Sequence, residues 1–116
     1  MVIIIFFIIQ WYTSIFSQTF LQHRYAAHRS FKMNKFWERF FYVFAFIAQG
    51  ATYMSPRAYA LMHRMHHAYA DTPKDPHSPS NHKNLFAMME NTRKMYTACY
   101  WENIEIEPRF KKDVPD

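Results

Sequence analysis

The chain begins with a long apolar stretch that contains no charged side chain. Residues 2–21 read V-I-I-I-F-F-I-I-Q-W-Y-T-S-I-F-S-Q-T-F-L. A helix of this length rises about 30 Å, which matches the hydrocarbon core of a bilayer. Polar side chains enter only in its second half, so that half is expected to pack against other helices as well as lipid. The pattern predicts one transmembrane helix over residues 2–21.

A cleaved signal peptide is the alternative interpretation of this stretch. Such peptides carry a basic region before the apolar one, and no basic residue precedes His23 and Arg24 here. Cleavage near Ala26 and Ala27 would also cut between two closely spaced histidines. The transmembrane interpretation is therefore preferred.

Basic side chains are concentrated directly after the apolar stretch. Residues 22–39 hold five of them against Glu38 alone: Arg24, Arg29, Lys32, Lys35 and Arg39. By the positive-inside rule this segment faces the cytoplasm, so residues 22–116 are predicted to lie on the cytoplasmic side. Residues 36–53 are apolar and aromatic again, but they include Glu38, Arg39 and Gln49. We expect them to lie along the membrane interface, or to dip in and return, without crossing.

The remaining pattern predicts helices separated by turns. Ser55-Pro56 is a helix start, with serine as the N-cap and proline at the first helical position. This helix should run to about Ala70 and end before Pro73. Residues 71–80 hold three prolines and predict an ordered loop. Residues 84–100 are helix-like, and residues 102–116 form a charged, irregular tail. The fold class is all-α.

Composition and charge narrow the possible classes of function. Half of the 116 residues are hydrophobic, a fifth are aromatic and one is glycine, which suits a membrane protein better than a small soluble domain. The net charge of +5 could indicate nucleic-acid binding, but the basic residues flank an apolar segment, so nucleic acid is not expected as a partner. The single cysteine, Cys99, excludes an internal disulfide and a cysteine-rich metal site.

Five of the seven histidines fall into two groups. His63, His66 and His67 form H-x-x-H-H on one face of the helix predicted after Pro56. Neutral imidazole is a favoured ligand of iron, zinc and copper, so this face predicts a metal site. Single histidines are more often hydrogen-bonded core or interfacial residues, but five in these two spacings favour metal.

His23 and His28 form H-x-x-x-x-H at the end of the apolar stretch. On a regular α-helix five residues turn the chain by about 140°, so the two rings are not expected to bind one ion together. They would serve two different ions or straddle a helix end. Two ions shared between the two histidine groups is the simplest interpretation.

These motifs resemble the histidine boxes of membrane fatty-acid desaturases. Residues 22–30, Q-H-R-Y-A-A-H-R-S, resemble the first box of acyl-CoA desaturases, and residues 62–70, M-H-R-M-H-H-A-Y-A, resemble the second. The following D-T-P-K-D-P-H is similar to the segment that continues that family's second box. The resemblance implies that residues 1–116 are the N-terminal part of one helical desaturase domain, with the C-terminal half of the family pattern absent.

The resemblance also implies a ligand set and cofactors. Carried over residue by residue, the ligands of two iron ions are His23, His28, His63, His66 and His67. Asp71, Asp75 and His77 are implied as candidates to support the ligands by hydrogen bonds, although the two aspartates could equally cap the turn. His82 has no counterpart and is interpreted as a surface residue. The family pattern includes a third histidine box near the C-terminus, and no third H-x-x-H-H occurs here.

The implied reaction is O₂-dependent desaturation of a long-chain fatty acyl group, with two electrons from cytochrome b5, ferredoxin or rubredoxin. Acyl-CoA desaturases often carry Arg-Asp before the second box, where this chain has Leu61-Met62. A CoA thioester is the expected substrate, and acyl-lipid or acyl-carrier-protein substrates stay open. The alternatives are a histidine-box lipid or alkane hydroxylase and a non-catalytic membrane protein that binds metal or haem. By the ligand count, the 116 residues alone are expected to be inactive.

Overall fold

The computed structural model describes residues 1–75 and 77–115, and within them it contains helices and turns but no strand. Pro76 of the D-P-H motif and Asp116 of the predicted tail lie outside the described residues. The helices are α1 (Val2–Ser17), a π-helix (Gln18–Ala27), α2 (Lys35–Gln49), α3 (Pro56–Tyr69), α4 (Leu85–Tyr100) and α5 (Pro108–Lys111). Two 3₁₀ turns, Gly50–Thr52 and Pro79–Asn81, interrupt the connections. The predicted all-α class is confirmed.

The first helix is continuous from Val2 to Ala27, because the π-helix follows α1 without a break. Among the described residues it is the only helix long and apolar enough to cross a membrane. Its apolar side chains are largely exposed in the first half, from Val2 at 81% to Ile9 at 57%. The helix therefore extends past the predicted end at Leu21 and carries His23 within it.

Helix α2 begins at an N-cap, where the side chain of Asn34 accepts a hydrogen bond of 3.0 Å from the Trp37 N–H. Its aromatic side chains pack against the first helix, with the Phe41 ring centroid 4.7 Å from that of Phe20. Its 15 residues rise about 22 Å, less than the roughly 30 Å of a hydrocarbon core. The helix ends at Gly50, whose φ of 53° lies in the region that glycine adopts most easily.

A buried polar network fixes the end of α2 against the π-helix. The Gln49 amide nitrogen donates to Ser17 Oγ at 3.0 Å, and its Oε1 accepts from Gln22 Nε2 and from the Met54 N–H, each at 3.1 Å. Gln22 Nε2 also donates to the Met54 carbonyl. All three polar side chains are buried. The network therefore places the start of α3 beside the helix that carries His23.

Helix α3 starts and ends where the sequence predicts. Ser55 Oγ accepts from the Ala58 N–H at 3.4 Å, Pro56 occupies the first turn, and Ala70 follows the last helical residue. The Ser55 N–H donates to the Tyr96 hydroxyl at 2.8 Å, which attaches α4 to the start of α3.

The tail is more ordered than the charged, irregular segment predicted. It contains the short helix α5, and its apolar side chains at Ile106, Phe110 and Val114 are buried. They join a core cluster formed by α3, α4 and the end of the π-helix. The spacing of four residues between these apolar positions gives the tail one buried face. A prediction based on the charge of the segment did not take this spacing into account.

Candidate metal centre

The π-helix brings His23 and His28 together. Its backbone bonds join each N–H to the carbonyl five residues earlier, as in the 3.0 Å bond from His28 N–H to His23 O. Side chains five apart therefore lie above one another, and the two Nε2 atoms are 3.1 Å apart. The expectation that the two rings point in different directions holds for the 3.6-residue turn of an α-helix and does not apply to a π-helix. His28 is the C-cap of that helix, which matches the alternative that the pair straddles a helix end.

Helix α3 supplies the opposite side of the same cluster. His63 and His67 are four residues apart on one face, and their Nε2 atoms are 3.0 Å apart. His63 Nε2 is also 3.1 Å from His28 Nε2, which links the two helices. One ligand nitrogen from each of these four histidines lies within 4.8 Å of the others. The two histidine groups thus meet at one point.

Hydrogen bonds among the rings cannot account for this convergence. A neutral imidazole nitrogen offers either one proton or one lone pair, never both. His28 and His63 each have two Nε2 contacts, so the chain of three contacts cannot consist of three full hydrogen bonds. A cation would instead interact favourably with all four lone pairs.

The three short Nε2–Nε2 contacts also match the spacing of neighbouring ligands of a metal ion. A metal–nitrogen distance of about 2.1 Å places two ligands at right angles about 3 Å apart. The neighbouring Nε2 atoms are separated by 3.0 to 3.1 Å.

The surroundings of His63 and His28 favour the neutral form of these two imidazoles. Burial, followed by the adjacent His67, His23, His28 and His66 rings, lowers the pKa of His63 to about 4. Burial and then His23, His67 and Arg64 also lower the pKa of His28. A neutral ring retains the lone pair that a metal ligand needs.

His66 is on the same helix but outside the cluster of four. Its ring centroid is 6.5 Å from that of His63, and its Nδ1 lies 2.8 and 2.9 Å from the two carboxylate oxygens of Asp75. Asp75 is buried; burial tends to raise its pKa, but hydrogen bonds from His66 and from the His77 and Asp71 N–H groups lower it overall. The ionised carboxylate accepts a hydrogen bond from Nδ1 of His66, so Nε2 is the ring nitrogen outside this contact.

The other predicted candidates have different surroundings. Asp71 donates its backbone N–H to Asp75 at 3.2 Å, and its own carboxylate accepts from Ser78 Oγ at 3.4 Å, so it shapes the loop. His77 Nδ1 lies 2.9 Å from Thr92 Oγ1, and its ring centroid is 5.7 Å from that of His66. His82, which was expected to be a surface residue and not a candidate, is half-buried and lines a separate cavity with Leu85 and Met88.

Tyr59 also borders the cluster, although no sequence motif indicated it. Its ring stacks on His63 with a centroid distance of 5.4 Å and an interplanar angle of 13°. It borders a cavity of about 240 Å³ that is also lined by Met54, Met62, His66 and His77. Its position four residues before His63, on the same helical face, was the available signal.

Comparison with known proteins gives a consistent family. A family model described as Fatty acid desaturase matches residues 1–112. Delta-9 desaturase-like 5 protein of Arabidopsis thaliana is 44% identical over 63 residues, which are 54% of this chain and 20% of that protein. Acyl-CoA C20 Delta5-desaturase of Anemone leveillei is 43% identical over 65 residues, 56% of this chain and 20% of that protein.

A third relative, Delta-9 acyl-lipid desaturase 1 of Arabidopsis thaliana, is 43% identical over 58 residues, 50% of this chain and 18% of that protein. The matched segments therefore span about a fifth of the length of these curated relatives. No solved structure matches the chain.

Proposed function

The chain belongs to the fatty acid desaturase family, and on this premise we propose that its histidines bind two iron ions for O₂-dependent desaturation of a long-chain fatty acyl group. One observation carries the proposal: four histidine nitrogens from two helices converge within 4.8 Å of one another. The neutral state of His63 and the hydrogen-bond count within the cluster support a cation there.

The five histidines divide between two ions in this proposal. His23, His28, His63 and His67 hold the first. His66, turned away from them and oriented by Asp75, supplies its free Nε2 to the second. A carboxylate behind a ligand histidine fixes the ring and increases its basicity, which is a common arrangement in metal sites.

Bound iron would supply, with O₂, the oxidising power that no side chain has. The reaction removes two hydrogens from adjacent carbons, and two further electrons and two protons balance the reduction of O₂ to two waters. The contribution of this chain is geometric: α3 and the π-helix hold the histidines, and Asp75 orients His66. The cavity bordered by Tyr59, Met54 and Met62 is a mainly apolar space beside them.

The substrate is proposed to be an acyl thioester of CoA, since relatives named as acyl-CoA desaturases match this chain. An acyl-lipid substrate is the alternative, because one relative is named as an acyl-lipid desaturase. Leu61 and Met62, which occupy the place of the Arg-Asp pair, are buried and cannot contact a charged headgroup. Any CoA recognition must then involve other residues.

Location and electron supply follow the same proposal. The helix Val2–Ala27 spans the membrane, with the histidines at its cytoplasmic end. An electron-carrier protein such as cytochrome b5, ferredoxin or rubredoxin delivers the two electrons.

Elemental analysis tests the proposal directly. The full-length protein, expressed in iron-replete cells and purified in mild detergent, should contain iron. His63→Ala and His67→Ala should each remove it, since each deletes a nitrogen of the cluster. His82→Ala is the matched control and should retain the metal, because His82 lies in a different cavity. Stoichiometric zinc that is unchanged by the two cluster substitutions would rule out the di-iron site.

A further inference from the structure

Arg64 lies in the second histidine motif, between His63 and His66, and its side chain reaches away from both. Its guanidinium donates hydrogen bonds to four backbone carbonyls. Two belong to the end of the π-helix, Ala27 at 2.8 Å and Ala26 at 3.3 Å. Two belong to the tail, Phe110 at 3.0 Å and Lys112 at 2.6 Å. One side chain of α3 thus holds two other segments.

The π-helix needs such a partner at its end. Its last carbonyls lack the N–H groups that a further turn would provide. The chain turns away at Arg29, whose φ is 54°, and the Ser30 N–H bonds to the carbonyl of Arg24. Arg64 supplies donors to the buried Ala26 and Ala27 instead. A positively charged side chain at a helix C-terminus also interacts favourably with the helix dipole.

The position of Arg64 relates this contact to the histidines. On α3 it directly follows His63, and on the π-helix its acceptors directly precede His28. The contact between Arg64 and Ala27 is therefore one residue from the contact between His63 and His28, where the two Nε2 atoms are 3.1 Å apart. A shift of the π-helix relative to α3 would break both contacts.

We propose that Arg64 is a positioning residue that sets the distance between the two histidine pairs of the proposed metal site. The planar guanidinium fork bonds carbonyls of two segments at once, in a fixed geometry. A lysine ammonium has three donors on a flexible stem and no such fork, so it restores the charge but only part of the geometry. The inference rests on the proposed metal site and adds a residue that would not touch the metal.

Cobalt(II) is a suitable probe, because its visible absorption reports the number and arrangement of its ligands. The full-length protein in detergent is titrated with cobalt(II), alongside Arg64→Gln, Arg64→Lys and the control Arg57→Gln. Arg57 is on the same helix and bonds Glu102 at 2.9 Å, away from the histidines. Far-UV circular dichroism measures helix content in each variant.

We expect Arg64→Gln to keep its helix content, to bind cobalt(II) at least about ten-fold more weakly and to change the absorption spectrum. Arg64→Lys should recover part of the affinity, and Arg57→Gln should match the wild type. Wild-type affinity and spectrum in folded Arg64→Gln would overturn the inference. If Arg64→Gln does not fold, the test uses Arg64→Lys instead. Wild-type cobalt(II) affinity and spectrum in Arg64→Lys would then overturn the inference. Absence of cobalt(II) binding by the wild type would instead contradict the proposed function.

Discussion

Asp75 holds His66 through both carboxylate oxygens, and the same oxygens accept the N–H groups of Asp71 and His77. Asp75→Asn replaces one acceptor oxygen with a donor and removes the charge. Loss of such a supporting group typically lowers metal affinity about 10- to 100-fold. We expect a decrease of this size in iron or cobalt(II) binding, measured by titration.

Asp71→Asn is the matched control for this substitution. Asp71 has a φ of 60°, a conformation that asparagine adopts as readily as aspartate. Its carboxylate accepts a hydrogen bond from Ser78 and makes no contact with His66 among the hydrogen bonds of residues 1–75 and 77–115. Metal affinity should remain within about two-fold of the wild type, and stability within about 0.5 kcal/mol. Equal losses in the two variants would show that the loop, and not the carboxylate behind His66, determines binding.

Cys99 is predicted to be chemically inert in the folded protein. It is 1% exposed, and burial, followed by the charge of Glu102, raises its pKa to about 11. The thiolate is the reactive form, so at pH 8 the reactive fraction is about 100-fold lower than for a thiol of pKa 9. A maleimide should label the native protein slowly and the denatured protein quickly. Rapid labelling of the native protein would contradict the buried position.

At the scale of residues, the motifs named the candidate histidines and aspartates but not their contacts. Asp71 and Asp75 were equivalent candidates in the sequence, and only the fold of the loop decides that Asp75 reaches His66. Likewise, the three histidines of α3 share one face of the helix. His66 nevertheless lies outside the cluster that contains His63 and His67, because its ring is hydrogen-bonded to Asp75, nine residues further along the chain.

At the scale of elements, the junction of α2 and the π-helix depends on Gln49. Replacement by leucine would leave the Met54 N–H without this acceptor. Gln22 Nε2 would keep its bond to the Met54 carbonyl, and Ser17 Oγ its bond to the Ser14 carbonyl. A buried group left without a partner costs about 1 to 3 kcal/mol, so we expect Gln49→Leu to destabilise the protein by at least about 1 kcal/mol, measured by thermal unfolding in detergent.

Gln18→Leu is the control for that measurement. Gln18 is an exposed glutamine on the π-helix, the helix against which Gln49 packs. Its stability should change by no more than about 0.5 kcal/mol. If Gln49→Leu lowered the stability as little as Gln18→Leu, the buried network would not be what holds α2 in place.

The starts of α3 and α4 were predictable, but the π-helix and the end of the first helix at Ala27 were not. Ser55, Pro56 and Asn84 are local signals whose side chains act within a few residues, and the helices begin where they indicate. The change from α to π bonding shifts each backbone bond by one residue and is marked by no residue type in positions 18–27. It decides whether the rings of His23 and His28 lie together, so this part of the site required the structure.

The path of the chain through α2 predicts that the segments before and after this helix lie on the same side of the membrane. His28 precedes α2 and His63 follows it, yet their Nε2 atoms are 3.1 Å apart, so the chain must return to the side from which it left. Single cysteines at the exposed positions Lys32 and Lys83 should therefore react with an impermeant maleimide from the same, cytoplasmic, face. The wild type, with only the buried Cys99, measures the background. Labelling from opposite faces would contradict both the path and the shared site.

At the scale of the whole molecule, the sequence motifs could indicate that the two histidine groups cooperate, but not how they meet. The meeting depends on contacts between distant residues: Gln22 with Gln49, and Arg64 with Ala27. Such long-range pairs are not encoded in the spacing within either motif. The resemblance to desaturases led to the expectation that the two histidine groups act together. The fold shows the contacts that bring them together.

The ligand count leads to the last prediction, which concerns the 116 residues expressed by themselves. Four histidine nitrogens lie together at the position proposed for the first ion, whereas the proposed second ion would have only His66 as a ligand. A metal site usually needs about four ligands. We therefore expect these residues, in a desaturase-deficient host, to produce no unsaturated lipid by gas chromatography. A full-length relative expressed in the same host is the control. Unsaturated lipid formed by the 116 residues, at similar protein levels, would show that fewer ligands suffice.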